Sequence, residues 1–288
     1  MLTAIALPTR QLGQTGREVS LFGLGGEGVL RTHNREREAV AVIHGALDAG
    51  VTYFDTAPAY DSSLDYYGAA FRERGAASGQ QRAAITLASK TADRGRDGSL
   101  RILDKSLKRL GTDYLDIWQL HDLRTREELD QIFAADGAIE AMKLAKSQGR
   151  VRFCGLTGHH DPAILLEAMR RFDFDTVLVA LNPADSQRLP FISTVLADAA
   201  KRRMGVIAMK CSAQGAMIAN GAFNMAECMG YALSLPGVTN VIVGCKTPGE
   251  VAANADFVRK FKYLNHDAMK ALEARAAPQA GRYCYFKK

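Results

Sequence analysis

The sequence predicts an α/β protein, a closed (β/α)8 TIM barrel preceded by a short β-hairpin. Strand-like and helix-like segments alternate eight times along the chain, and such alternation builds a parallel sheet with crossover helices. The chain has 288 residues, a length that suits eight such units in one closed domain better than an open sheet. Residues 1–288 are therefore expected in a single domain. Several of the strand-like segments also stop at a reactive side chain, as they do where strand ends share one rim.

Taken in order, residues 9–20 hold Gly13-Gln14-Thr15-Gly16 between two extended pieces, a hairpin signature. Residues 21–26 read as a strand running into glycines. Residues 36–49 place apolar side chains at 39, 40, 43, 46 and 47, a helical stripe closed by Gly50. Val51-Thr52-Tyr53-Phe54 are β-branched and aromatic and predict a strand that ends at Asp55. Pro58 has no amide for a sheet ladder, which puts Tyr60 on the following loop. A helix over 64–74 follows, then a strand over 84–89 that stops at Lys90. Leu100, Leu103, Leu107 and Leu110 repeat at helical spacing before Gly111, and a strand over 114–120 stops at His121.

Helices over 127–133 and 139–147 lead to a strand over 151–156 that ends at Thr157-Gly158. Asp161 and Pro162 are a cap and a first helical residue, ahead of the stripe Ile164, Leu165, Ala168 and Met169. Strands over 176–181, 206–209 and 238–243 come next, separated by helices over 191–203 and 225–235. The third of these ends at Gly244, and the second near Lys210. Thr247-Pro248-Gly249-Glu250 has capping-box spacing and opens a helix to about residue 261. A last helix over 266–275 precedes a short tail.

Net charge is +6, from 37 basic and 31 acidic residues spread along the chain. That balance argues against a nucleic-acid partner and leaves room for a local basic patch around an anionic cofactor. No apolar run approaches the roughly 18 residues of a membrane span, and Met1–Pro8 lacks the basic start and apolar stretch of a secretory leader. The five cysteines, Cys154, Cys211, Cys228, Cys245 and Cys284, form no CxxC pair. Neither a disulfide framework nor a metal cluster is expected, and a reducing cytoplasm fits. His159-His160-Asp161 suggests a metal motif, but capping by Asp161 accounts for it. Oligomeric state is not legible.

A carboxylate, a phenol, an amine and an imidazole thus leave the same end of three consecutive strands: Asp55, Tyr60, Lys90 and His121. Neighbouring strands lie about 4.8 Å apart, so these groups can meet. The early glycines Gly23-Leu24-Gly25-Gly26-Glu27-Gly28 contain Gly-x-Gly without the remaining dinucleotide-fold spacing.

The segments Tyr53-Phe54-Asp55-Thr56-Ala57-Pro58-Ala59-Tyr60, Thr86-Leu87-Ala88-Ser89-Lys90 and residues 107–121, LKRLGTDYLDIWQLH, resemble the aldo-keto reductases. The resemblance covers residues 9–261. It implies a barrel that binds NADP(H) or NAD(H) without a Rossmann domain and reduces a small aldehyde or ketone, or oxidises the alcohol. The family's Asp-Tyr-Lys-His tetrad maps onto Asp55, Tyr60, Lys90 and His121. Tyr60 is then the general acid. A free phenol has a pKa of about 10, and Lys90, held by Asp55, is expected to lower it. His121 would orient the carbonyl.

Implied cofactor contacts are Gly26, Thr157, Gly158, Met209, Lys210, Gly244, Cys245, Lys246, Glu250 and Asn254. The chain departs from the family pattern at several of them. Thr157-Gly158 stands where Ser-Asn commonly holds the carboxamide, Leu178 where a glutamine is usual, and Met209 where an aromatic ring usually stacks. Glu250 replaces the arginine of many NADP(H)-specific members and favours NAD(H), while family frequency leans to NADP(H). Read alone, Glu250 is a capping-box residue turned toward Thr247. The short loop after His121 and the short tail imply a shallow, open pocket. The alternative function is a catalytically weak nucleotide-binding sensor or regulatory subunit on the same fold.

Overall fold

A computed structural model describes residues 6–287, so the first five residues of Met1–Pro8, the segment read for a secretory leader, lie outside the described ones. Strands β1 (Thr9–Gln11) and β2 (Glu18–Ser20) pair antiparallel, with Arg10 opposite Val19. Gly13 turns this hairpin with φ +55°, and a Cβ there would lie 2.2 Å from the Gly205 amide nitrogen. Only glycine permits that approach.

Eight parallel strands then close a barrel. They are β3 (Phe22–Gly28), β4 (Tyr53–Asp55), β5 (Thr86–Thr91), β6 (Leu115–Leu120), β7 (Val151–Gly158), β8 (Thr176–Ala180), β9 (Gly205–Met209) and β10 (Val238–Cys245). The order is sequential, with β10 returning to β3. Side chains alternate in and out with a period of two. Tyr53 therefore packs inside with Ala88, Ile117, Leu178, Ile207 and Ile242, Phe54 packs outward on Tyr67 and Phe71, and Asp55 points inward again. Leu12 and Val19 of the hairpin join the interior cluster and plug the end of the barrel opposite the strand C-termini. The larger core lies between the outer strand faces and the helices.

The expected helices form, with Gly50 and Gly111 in left-handed caps. Three local expectations change. Residues 79–84 form a helix, Gly79–Ala84, so β5 starts at Thr86 and Lys90 lies within it rather than past it; Ala83 and Ala84 favour helix over strand. The helix expected over 191–203 opens as a π-turn, Ile192–Leu196, before Ala197–Lys201, its entry fixed by Asp185 accepting from the Phe191 and Ile192 amides. Short helices at Ala216–Ala219 and Ala280–Tyr283 had no periodic signal. No helix among the described residues is long and apolar enough to cross a membrane. All five cysteines are free and buried.

Candidate active site

Asp55 closes β4 and Lys90 sits one residue before the end of β5. The Lys90 Nζ lies 2.7 and 2.8 Å from the two Asp55 carboxylate oxygens and 2.8 Å from the Thr56 carbonyl. All three ammonium hydrogens are thereby engaged. Both side chains are almost fully buried. Burial raises the Asp55 carboxyl and lowers the Lys90 ammonium, while their mutual attraction opposes both shifts.

Tyr60 follows on the β4 loop. Its ring centroid lies 4.9 Å from the Lys90 Nζ and 5.6 Å from the His121 ring, edge to face with it. Gly26 lies beneath it, where a Cβ would come within 2.6 Å of the Tyr60 ring. Burial pushes the Tyr60 phenol well above its usual value, Asp55 and Glu27 push the same way, and Arg31 opposes them. The expectation that Lys90 lowers this pKa is corrected. Lys90 has no hydrogen left to donate to the phenol, and its charge is balanced by Asp55. His121 follows β6, its amide donating to the Thr91 carbonyl at 2.8 Å. Burial, then the Lys90 charge, hold its imidazole down at about 3, so it is neutral near pH 7.

Tyr60 and His121 open on a cavity of about 600 Å³ that also reaches Thr157, Met209, Lys210 and the tail residues Tyr285 and Phe286. The pocket is walled more than the short tail implied. The Lys287 ammonium is buried against the Asp185 carboxylate, which anchors the tail and brings the Phe286 ring to 5.4 Å from the Lys210 Nζ. Lys210 has left-handed backbone, φ +52°. Burial lowers its ammonium to about 8; Glu27 and Asp122 act to raise it, Arg31 and Arg124 to lower it further.

A second cavity, about 470 Å³, runs from Gly26, Asp55 and Tyr60 to Gly244, Lys246 and Glu250. It shares Tyr60, Met209 and Lys210 with the first, so one cleft crosses the rim. Gly158 packs closely: a Cβ there would lie 2.9 Å from the Leu165 side chain and 3.1 Å from the Leu123 carbonyl, so a larger residue would have to push Leu165 aside. Gly244 is crowded too, its Cβ position 2.7 Å from Glu27. Cys245 and Asn254 do not line the cleft. The Asn254 Nδ2 donates to the Cys245 Sγ at 3.5 Å between strand and helix. The Glu250 amide donates to Thr247 as capping expects, but its carboxylate accepts from the Lys246 amide, at 2.6 Å, rather than turning to Thr247.

Asp161 caps the helix Pro162–Arg171 as read from sequence, accepting from the Ala163 amide. Its neighbours His159 and His160 turn instead toward Asp122, a convergence the sequence reading missed. The one available signal was the placement of Asp122 directly after His121.

The Aldo/keto reductase family model matches residues 21–224. L-galactose dehydrogenase of Arabidopsis thaliana is 33% identical over 162 residues, 52% of this chain and 48% of that protein. Aldo-keto reductase YhdN of Bacillus subtilis is 33% identical over 161 residues, 51% of this chain and 45% of that one. The chain thus spans about half the length of the curated relatives it matches. In overall shape it resembles the holo form of an aldo-keto reductase from Bacillus halodurans, with TM-score 0.75 and 19% identity over 93% of this chain and 96% of that one.

Proposed function

The chain belongs to the Aldo/keto reductase family, and from that premise we propose that it moves hydride between a nicotinamide dinucleotide and a small aldehyde or ketone, or the corresponding alcohol. The observation that carries this reading is the meeting of Asp55, Lys90, Tyr60 and His121 beside one cleft. The dinucleotide, when bound, supplies the hydride. The chain's own residues do the rest. His121, neutral, donates a ring N–H to the carbonyl oxygen and fixes its position. Tyr60, held protonated by burial, gives its proton to that oxygen as charge develops there. Asp55 keeps Lys90 charged and, with the Thr56 carbonyl, fixes it 4.9 Å from the centre of the Tyr60 ring.

The cleft suits the cofactor. Lys210 and Lys246 offer charge for a phosphate chain, and Met209 covers a ring face. Thr157, buried at the rim, remains for the carboxamide. Glu250 at the far end matches a ribose hydroxyl better than a 2′-phosphate, which favours NAD(H) over NADP(H). The chain acts as one domain, and its buried thiols suit the cytoplasm. Gly158 favours the second reading, a nucleotide-binding sensor with weak turnover, because the usual amide is lost there.

Fluorescence titration with NADH and NADPH, followed by a carbonyl and alcohol panel with the tighter binder, tests the proposal. Saturable binding with turnover is expected. Binding without turnover selects the sensor, and no binding of either nucleotide defeats both readings.

A further inference from the structure

Three side chains at the cleft mouth have no part in the proposed hydride transfer. Asp122 follows His121, and His159 and His160 follow β7. One potential ligand atom from each lies within 4.8 Å of the other two. The Nε2 atoms of His159 and His160 lie 3.1 and 3.5 Å from the same oxygen, Asp122 Oδ1. Two ligand atoms bound at about 2.1 Å to one tetrahedral metal are themselves about 3.4 Å apart, and the two observed distances bracket that edge. The rings lie 4.4 Å apart between centroids and are tilted by 34°.

The carboxylate is already oriented. Arg124 donates from Nε and Nη2 to Asp122 Oδ2, at 2.9 and 2.6 Å, which leaves Oδ1 turned to the imidazoles. That oxygen is buried and receives no hydrogen bond of ordinary geometry from the described residues. Outer hydrogen bonds that fix a ligating carboxylate are a regular part of metal sites.

We propose that Asp122, His159 and His160 form a site for a first-row divalent cation of the zinc class, open to the carbonyl pocket. Two imidazole nitrogens and one carboxylate oxygen suit Zn2+ or Co2+ and not Mg2+ or Ca2+, which prefer oxygen shells. Three protein ligands leave a position for an oxygen ligand from the cavity that holds Tyr60 and His121. Lys210 and Arg124 weaken such a site relative to a closed structural one, and they favour an anionic oxygen, such as a carboxylate, as the further ligand. The inference rests on these side chains and stands apart from nucleotide use.

Untagged, chelator-treated protein titrated with Co2+ tests it. One Co2+ per chain is expected, with the strong visible absorption of tetrahedral coordination, and Zn2+ should displace it. His159→Gln, His160→Gln and Asp122→Asn should each weaken binding by about tenfold or more, with melting curves reporting that the variants fold. In the unaltered protein, Zn2+ should shield His159 and His160 from acylation, read by mass spectrometry. No saturable binding, binding unchanged in all three variants, or unshielded histidines would each overturn the proposal. A failed nucleotide titration would leave it standing.

Discussion

At the rim, the Lys90 Nζ lies 2.7 Å from Asp55, and at the opposite end of the neighbouring strands the Arg82 Nη1 lies 2.6 Å from Asp116. Both pairs are almost fully buried, so neither distance nor burial separates them. Their surroundings do. Arg82 also donates to Thr112 and to the Tyr114 carbonyl, and Asp116 accepts from the Leu87 amide and from Arg152. That network closes on itself at the end of the barrel concerned with stability. The Asp55–Lys90 pair is satisfied as fully, but it borders a cleft and a phenol ring. A buried ion pair is thus no sign of catalysis by itself; adjacency to a cavity and a titratable neighbour makes the difference.

The sharpest way to break this contrast is Tyr60→Phe. Turnover should fall by roughly 10²–10⁴-fold while nucleotide titration stays normal; unchanged turnover would remove the rim pair's distinction. Next in size, Asp116→Asn should destabilise by about 3–5 kcal/mol through the unpaired Arg82, read as a lower urea midpoint, with kcat per folded molecule unchanged. Asp55→Asn should lower both, and equal kcat losses in the two variants would erase the difference between the ends. A smaller effect concerns Lys210. Its ammonium is charged below about 8 and neutral above, so affinity for the anionic nucleotide should decline as pH rises through that value, by about tenfold at most. Lys210→Met should flatten the profile. Its folded value lies below the unfolded 10.5, so the unfolded chain binds the extra proton. Lys210 therefore costs stability below about 8, and the cost fades as pH rises toward 10.5. Smallest is Glu250→Arg, which should shift preference toward NADPH by about tenfold, or about 1.4 kcal/mol, seen in the ratio of the two dissociation constants.

Much of this was readable from residues alone. The alternation of periods two and 3.6 foretold the barrel, glycine signals foretold the hairpin and helix ends, and strand-terminal Asp55 and His121 marked the rim. Those features are local: they depend on side-chain spacing along a few residues and on what each strand's end must do. The tertiary structure alone decided that all three Lys90 hydrogens go to Asp55 and Thr56, that Leu165 packs closely on Gly158, and that Cys245 and Asn254 face each other instead of the cleft. It also brought His159 and His160 against Asp122, and folded Phe286 over Lys210. Three of these, at Lys90, Asp122 and Phe286, join residues more than 30 positions apart in the chain. Such distances follow from the register of adjacent strands and the closure of the barrel, which no stretch of sequence specifies by itself.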